Sequence, residues 1–582
     1  MTTTRSGFTK LAAVCIAILL GAVVWELGWP LTRAEHEWSR LIAAVATLGH
    51  LTGILGSYFR KEINRPSLRL LIFQIISCLM IFLLIAREQQ EAGYMRFTEL
   101  SRLVITAGLI AIPTLMSLTR IFEWLVGKQK KGRPLMAPAM QFVASLGVVI
   151  LAGTGLLLLP NSTYPGITLS FTDALFTSTS AVCVTGLNAV DFAHTFTPLG
   201  EMFTLALIQI GGFGIMTFAY FVAMVAGQGF SLRDRVLLTD LLDEDNLGAV
   251  VSFITTIVVS TLFIELCGAV LLYFSWEGKD INLMGEPLWW HSLFHSVSAF
   301  CNAGFSTFPM NLMEPGIRLC YSGQAVIMVL IVCGGLGFGI YKEINSRLAN
   351  RFFSKHRRLH RQWTPYFKLV MISTGILLAG GALAIFAVSS PHAAEPLGEH
   401  LWICLFDSVT ARTAGFNITD YGRYLPAASL IMCGLMMVGG SPGGTAGGMR
   451  TTTCAIAGAE ILRILRGRDH VEFFRRRIDQ RTVARCVITV VVSCAWIGCF
   501  TVLICALEPS MSSLDIFFEN CSAFATVGVS RGITPDLSGP SKYLLIVNML
   551  AGRVGLFAFL IALAGTPTPR HYRYPSVKIP LT

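Results

Sequence analysis

Long apolar stretches alternate with short polar ones along most of the 582-residue chain. Four apolar segments occupy the first 135 residues, each near the ~20 residues that a helix needs to cross a bilayer. From residue 136 a three-part unit occurs four times: a long apolar helix, a short apolar segment ending in a polar turn, and a second long apolar helix. The predicted spans are 11–29, 41–58, 68–85 and 103–118, then 141–159, 198–225, 250–274, 324–340, 368–388, 425–465, 483–507 and 543–564.

The short segments are 171–181, 289–300, 400–409 and 514–524. They are too short to cross a bilayer, so we expect each to enter the membrane and return on the same side. The pattern therefore predicts an all-α polytopic membrane protein with twelve spans and four pseudo-repeats around a central pore. The expected parts are an N-terminal transmembrane extension (1–135), unit 1 (136–228), unit 2 (246–346), unit 3 (366–465) and unit 4 with the C-terminus (481–582).

Each short segment ends in a polar turn that contains a glycine. The first is STSAVCVTGL at 178–187, whose last residues favour strand or turn over helix. The four glycines, Gly186, Gly304, Gly415 and Gly528, are 118, 111 and 113 residues apart. Such regular spacing in so apolar a chain indicates an internal repeat.

Composition supports a membrane protein. Hydrophobic residues make up 53% of the chain and charged residues only 14%, with a mean hydropathy of +0.63. That is too little polar surface to enclose a soluble core of this size. The fifteen cysteines include no C-x-x-C pair, so no disulfide framework is expected. The first apolar run lacks a small-residue cleavage site before Glu26 and is interpreted as a retained helix.

The net charge of +11 indicates topology and not nucleic-acid binding. The basic residues lie in short loops, above all 342–368 and 463–485, on the side opposite the re-entrant turns. The positive-inside bias therefore predicts that both termini are cytoplasmic; the expected location is a bacterial inner membrane.

Four polar turns around one axis form a plausible cation path. Non-helical backbone is tolerated at membrane depth only where protein covers it or where it lines a water-filled cavity. There its carbonyl oxygens can replace the hydration shell of a cation, and the partially negative C-terminal ends of the short helices favour a cation. No turn carries the Asp or Glu that a calcium filter would need.

The turn sequences VCVTGL, FCNAGFS, RTAGFN and ATVGVS, the stretch Gly439–Gly448, the run Gly552–Gly555 and the ending Tyr572–Pro575 appear in this order. Residues 136–582 thereby resemble the membrane subunits of the Trk/Ktr/HKT superfamily of potassium transporters. The resemblance implies that the four glycines belong to the selectivity filter, as in potassium-selecting members. The other filter residues are then Val184, Thr185, Asn302, Ala303, Thr413, Ala414, Thr526 and Val527.

A glycine-rich stretch interrupts the predicted span 425–465. Six of its ten residues are glycine, and glycine and proline disfavour helix by about 1 and 3 kcal/mol each. It could simply be a loop or a small-residue packing surface. It is not a phosphate-binding loop, because no Gly-Lys-Ser/Thr follows. The resemblance implies an intramembrane gate, contacted by Arg553, that consists of Gly439, Gly440, Ser441, Pro442, Gly443, Gly444, Thr445, Ala446, Gly447 and Gly448.

Other polar residues are weaker candidates. The pairs His291/His295 and His356/His360 have i,i+4 spacing, but they are too few for a metal centre. Glu265 needs a partner or a proton in the membrane, and a structural hydrogen bond satisfies it equally well. Arg412 is expected to brace its turn from behind, since its charge in the path would repel cations.

The resemblance implies channel-like K⁺ translocation by a homodimer with one pore per chain, resting on a cytosolic nucleotide-binding regulatory subunit of the KtrA or TrkA kind. K⁺ is the transported ion, and no cofactor is expected in this chain. A Na⁺- or H⁺-coupled K⁺ symporter and a Na⁺-permeable HKT-like transporter remain alternatives. A membrane enzyme is disfavoured, because no convergent nucleophile or metal set is present.

Overall fold

The described part of the chain is mostly helical. The computed structural model describes residues 7–32, 138–214, 250–353, 363–389, 396–557 and 559–560, with a few positions between 35 and 52. Its helices are α1 (Gly7–Gly28), α2 (Pro138–Leu157), α3 (Phe171–Val182), α4 (Phe192–Thr195), α5 (Pro198–Phe213), α6 (Val250–Trp276), α7 (Leu288–Cys301), α8 (Pro315–Arg318), α9 (Tyr321–Leu336), α10 (Phe338–Phe353), α11 (Pro365–Val388), α12 (Leu397–Thr410), α13 (Pro426–Met437), α14 (Thr451–Leu465), α15 (Gln480–Leu507), α16 (Ser513–Ala525) and α17 (Gly539–Val554).

Three of the described helices are long and apolar enough to cross a membrane, namely α6, α11 and α15. Their outer faces are apolar and exposed: on α6, Val259, Phe263 and Leu266 are each more than 60% accessible. Such faces suit contact with lipid. The predicted spans 41–58, 68–85 and 103–118, and the ends of 198–225 and 543–564, lie wholly or largely outside the described residues.

The four short segments form α3, α7, α12 and α16, which we call the short helices. Each packs against the long helix that precedes it in the chain: α3 against α2, α7 against α6, α12 against α11 and α16 against α15. A phenylalanine at the same place in each short helix is almost fully buried. These residues are Phe176, Phe294, Phe406 and Phe518.

One predicted span is broken. The sequence predicts a single segment over 324–340, but α9 and α10 meet at Gly337 with a bend of 93°. Gly337 has a φ of +89°, which an α-helix cannot accommodate, and a methyl group there would lie 2.5 Å from the carbonyl oxygen of Pro442. The break therefore fits a close approach by unit 3.

Two further helices end at glycines with positive φ: α5 at Gly214 and α17 at Gly555. Arg553, which is near the middle of the predicted span 543–564, consequently lies in the last turn of α17 and not within a continuous spanning helix. Its guanidinium is thus positioned at a helix end, where main-chain carbonyls of neighbouring elements are accessible.

Two smaller features complete the description. A two-stranded antiparallel hairpin, β1 (Glu472–Phe473) and β2 (Arg476–Arg477), joins α14 to α15 within the predicted basic loop. At the other end of the chain, α1 contacts unit 1, because the Asn161 amide donates to the carbonyl of Leu27 at 3.0 Å. The N-terminal extension is therefore attached to the first unit.

Candidate functional site

The four glycine turns share one backbone conformation. We number them turn 1 (183–187), turn 2 (301–305), turn 3 (412–416) and turn 4 (525–529). In each, the residue two before the glycine also has a positive φ, which costs a non-glycine residue roughly 1–2 kcal/mol. The φ values are Val184 57° and Gly186 91°, Asn302 60° and Gly304 70°, Thr413 72° and Gly415 82°, and Thr526 51° and Gly528 93°.

The four glycines form a closed ring. A methyl group added to any one of them would collide with the next turn. The nearest atoms of the next turn would be the Ala303 oxygen, 2.3 Å from a methyl group on Gly186, the Gly415 Cα, 2.6 Å from one on Gly304, the Val527 oxygen, 2.8 Å from one on Gly415, and the Thr185 oxygen, 2.0 Å from one on Gly528. These contacts run from turn 1 to turn 2, from turn 2 to turn 3, from turn 3 to turn 4 and from turn 4 back to turn 1. The four turns therefore surround a common axis, with main-chain atoms facing one another.

A hydroxyl group near the end of each short helix holds its own turn. In turns 1 and 4 the glycine N–H donates to Ser180 and Ser522, both at 3.0 Å. In turns 2 and 3 the hydroxyls of Ser298 and Thr410 donate to the carbonyl that follows the glycine, at 2.8 and 2.6 Å. The strained turns are therefore fixed to rigid elements.

A second polar side chain in each short helix bonds the long helix before it. Ser178, Ser296 and Ser408 donate to main-chain carbonyls at 2.7, 2.6 and 2.8 Å, and Asn520 does the same at 2.8 Å. Sequence reasoning missed this contact, although a repeated Phe-x-Ser/Asn pattern at 176–178, 294–296, 406–408 and 518–520 marks it.

Polar contacts also join each unit to the next around the ring. They link the second helix of one unit to the short helix of the following unit, or to the segment just after its turn. The contacts are Trp290 to Glu201 at 2.6 Å, Trp402 to Gln324 at 2.6 Å, Arg531 to Ser429, and Lys542 to Asp173 at 2.9 Å. These long-range pairs have no local sequence signal, and sequence reasoning did not find them.

The glycine-rich loop, residues 439–448, separates α13 from α14 and is not helical. It is closed by main-chain bonds from Gly439 to Met449 at 2.9 Å and from Thr451 to Gly440 at 3.0 Å. Ser441, Thr445 and Ala446 are almost completely buried. The segment is thus an ordered internal loop and not an exposed linker.

The loop is bonded to unit 2. The N–H groups of Ser441 and Thr445 donate to the carbonyls of Gly335 and Gly334, at 2.9 and 3.2 Å, at the end of α9. The Phe338 N–H donates to Gly443 at 3.0 Å across the bend. These bonds satisfy main-chain groups that would otherwise be unpaired at two places, the bend between α9 and α10 and the loop between α13 and α14.

Three arginines donate to carbonyls around the loop. Arg553 donates to Thr445 and to Gly211 of α5, so a single side chain connects units 4, 3 and 1. Arg450 donates to Ala446, and Arg412 donates to Gly439 at 3.4 Å. In the described part of the chain, no carboxylate lies within ion-pair distance of these arginines. Arg412, for which the sequence suggested a brace behind its turn, makes its hydrogen bond with the loop.

The loop also lies directly against turn 4. A methyl group on Gly447 would be 2.0 Å from the Thr526 hydroxyl oxygen, and one on Gly448 would be 3.2 Å from the Ala525 Cα. Thr526 is one of the predicted filter residues. The structure therefore brings the predicted filter residues and the predicted gate into contact.

The remaining candidates take part in internal hydrogen bonds. His291 bonds the Thr307 hydroxyl at 2.6 Å, and Glu265 accepts from the Gln209 amide at 3.0 Å. The described residues contain no group of three or more metal-ligating side chains. His356 and His360 lie outside the described residues.

Comparison with known proteins identifies the family of the chain. The model of the TrkH family, described as cation transport protein, matches residues 105–574. Ktr system potassium uptake protein B of Bacillus subtilis is 34% identical over 446 residues, covering 74% of this chain and 94% of the relative. The potassium/sodium uptake protein NtpJ of Enterococcus hirae is 32% identical over 466 residues, covering 78% and 99%.

The crystal structure of the potassium transporter TrkH from Vibrio parahaemolyticus has the same fold. Its TM-score is 0.58 at 17% identity, and the superposition covers 96% of this chain and 99% of that one. With a family model matched over most of the chain and relatives covered almost from end to end, the protein belongs to the TrkH family of cation transport proteins.

Proposed function

We propose that this chain is the potassium-translocating membrane subunit of a Trk/Ktr-type uptake system. The observation that carries the proposal is the closed ring of four glycine turns, in which main-chain atoms from four units face one axis. Backbone carbonyls arranged in this way can replace the hydration shell of a monovalent cation. The names of the relatives, potassium uptake protein and potassium/sodium uptake protein, agree with this substrate.

The proposed filter consists of the twelve residues of the four turns named from the sequence. Its selectivity is assigned to carbonyl oxygens, because none of the twelve carries a carboxylate. In each turn two positive-φ residues flank one residue of ordinary φ. Backbone of alternating handedness can present successive carbonyl oxygens on one side of the chain, so this conformation supports a stack of oxygens toward the axis. This chemistry favours K⁺ over divalent cations.

The proposed gate is the glycine-rich loop together with Arg553. The loop packs against Thr526 and is bonded to unit 2, so it obstructs the path next to the filter until it moves. Movement must break the bonds from Arg553 to Thr445 and Gly211. Hydrogen bonds from a charged group contribute about 1.5–3 kcal/mol each, which is enough to bias a gate strongly toward closure.

Membership of this family also supports a proposal for the wider assembly. We infer four pseudo-repeats with twelve spans, cytoplasmic termini in a bacterial inner membrane, a homodimer with one pore per chain, and a cytosolic nucleotide-binding partner of the KtrA or TrkA kind. The exposed arginines of the β1–β2 hairpin, Arg475, Arg476 and Arg477, offer a basic surface on the proposed cytoplasmic side.

Electrical recording from purified protein in planar bilayers tests the proposal. With K⁺ and Na⁺ gradients imposed separately, a current that reverses at the K⁺ equilibrium potential supports a K⁺ pore. Reversal at a potential set by a fixed ratio of two ions would instead indicate a coupled symporter. Equal permeability to K⁺ and Na⁺ would indicate a Na⁺-permeable transporter.

A further inference from the structure

One position in the four short helices is not used by the proposed filter or gate. It is the middle residue of the Phe-x-Ser/Asn pattern, between the buried phenylalanine and the side chain that bonds the preceding long helix. The four residues are Thr177, His295, Asp407 and Glu519, and each is at most 1% exposed. Because this position is fully enclosed, its polar groups must find partners inside the protein or remain unsatisfied.

Glu519 bonds the chain that leaves turn 4. One carboxylate oxygen accepts from the Ser530 hydroxyl and from the Arg531 N–H at 2.9 Å. The other accepts from the Thr534 hydroxyl at 2.9 Å. These donors belong to residues 530–534, which begin two residues after Gly528 and which we call the outer limb of turn 4. All three bonds therefore connect this outer limb to the short helix.

The positive charge beside Glu519 is compensated elsewhere. The Arg531 guanidinium donates to the Asp515 carboxylate at 2.6 Å and to Ser429 of unit 3. Arg531 therefore offers only its main-chain N–H to Glu519. The carboxylate acts on turn 4 through hydrogen bonds whose donors are fixed by the backbone or by short side chains.

Equivalent positions in units 2 and 3 make contacts of the same kind. The Nε2 atom of His295 bonds the Ser306 hydroxyl at 2.9 Å, two residues after Gly304. Asp407 accepts from the hydroxyls of Tyr421, at 2.9 Å, and Tyr424, which follow turn 3. In these units too, a buried side chain of the short helix connects the helix to the segment beyond its turn.

Unit 1 lacks this connection. The hydroxyl of Thr177 is buried and has no hydrogen-bond partner among the described residues. The four turns are thus supported unequally at this position, with three bonds at turn 4, two at turn 3, one at turn 2 and none at turn 1.

We propose that Glu519, Asp407 and His295 are positioning residues that set ion selectivity by holding the outer limbs of turns 4, 3 and 2. A carbonyl ring prefers K⁺ when its oxygens are kept from closing on the smaller Na⁺. A buried side chain tied to the segment behind the turn provides that restraint, and Glu519 provides most of it. The inference rests on the proposed filter function.

The test is Glu519→Gln, which preserves shape but replaces one acceptor oxygen with an NH₂ group. Glutamine is neutral, so every bond that remains loses its charge assistance. With the amide oxygen toward Ser530 and Arg531, the NH₂ group faces the Thr534 hydroxyl, which must then accept instead of donate. We expect the K⁺/Na⁺ permeability ratio in bilayers to fall about tenfold, while single-channel K⁺ conductance remains measurable. Thr177→Val is the matched control, since it removes a buried hydroxyl that bonds nothing, and it should leave the ratio unchanged.

Two further variants separate the possible failures. Ser530→Ala removes one donor to Glu519 without altering the carboxylate, and we expect a smaller fall in the K⁺/Na⁺ permeability ratio. This variant tests the inference even if the Glu519→Gln protein fails to fold. A wild-type ratio in Ser530→Ala, or in folded Glu519→Gln, overturns the inference. If Gly528→Ala loses selectivity in the same assay, the filter assignment stands and only the positioning role fails. If Gly528→Ala also keeps it, the filter assignment fails too.

Discussion

Gly186→Ala is the substitution whose effect can be worked out most directly. Gly186 has a φ of +91°, and an alanine methyl group would lie 2.3 Å from the Ala303 carbonyl oxygen and 3.1 Å from the Gly304 Cα. The first distance is far inside van der Waals contact with main-chain atoms, which cannot rotate away as a long side chain would. Turn 1 and turn 2 must therefore move apart.

The expected cost comes from strain at a left-handed backbone position, about 1–3 kcal/mol. A change of about 1.4 kcal/mol corresponds to a tenfold change in an equilibrium constant. If the full strain energy acts on ion binding, the preference for K⁺ is weakened roughly 5- to 150-fold. The distortion lies within the ring, so we expect it to change ion preference and not only the amount of folded protein.

The assay is the reversal potential of purified protein in bilayers with K⁺ on one side and Na⁺ on the other. We expect the K⁺/Na⁺ permeability ratio to fall about tenfold while K⁺ current persists. Gly166→Ala is the control: Gly166 has a nearly equal φ of +89°, but an added methyl group would have no atom within 4 Å. An unchanged ratio in Gly186→Ala, or an equal fall in both variants, would refute the assignment of turn 1 to the filter.

Two predictions concern the gate. Arg553→Ala removes the guanidinium bonds to the loop and to α5, so the open fraction in single-channel records should rise while the K⁺/Na⁺ ratio stays the same; altered ion preference with unchanged gating would contradict this. Gly447→Ala places a methyl group 2.0 Å from the Thr526 hydroxyl oxygen, so it should displace the loop and also raise the open fraction. Gly434→Ala, with no atom within 4 Å of the added methyl, should leave gating unchanged, and identical behaviour of the two glycine variants would count against the loop as gate.

Much of the candidate site could be predicted because its signals are local. Polar turns and a glycine-rich stretch are conspicuous in an apolar chain, and the spacing of Gly186, Gly304, Gly415 and Gly528 indicates that they belong together. Their meeting in a ring requires only that four similar units pack around an axis. The residues at positive φ that precede the glycines are not glycines themselves, so composition did not reveal that strain.

The bends and cross-links could not be predicted because they depend on distant residues. The break at Gly337 reflects an approach by Pro442, which lies more than a hundred residues away in the chain. Arg553 stands at a helix end because Gly555 follows it with positive φ, whereas hydropathy alone extends the helix to residue 564. The bond between Trp402 and Gln324 joins two units whose relative position no local pattern encodes.

The central claim is that the four glycine turns form the cation site. Anomalous diffraction from crystals grown with Tl⁺ in place of K⁺ tests it most directly, because Tl⁺ scatters strongly and resembles K⁺ in size. We expect anomalous density on the axis of the ring formed by Gly186, Gly304, Gly415 and Gly528, and loss of that density when Na⁺ replaces Tl⁺. Bound Tl⁺ found elsewhere in the protein, with none on the ring axis, would contradict the account.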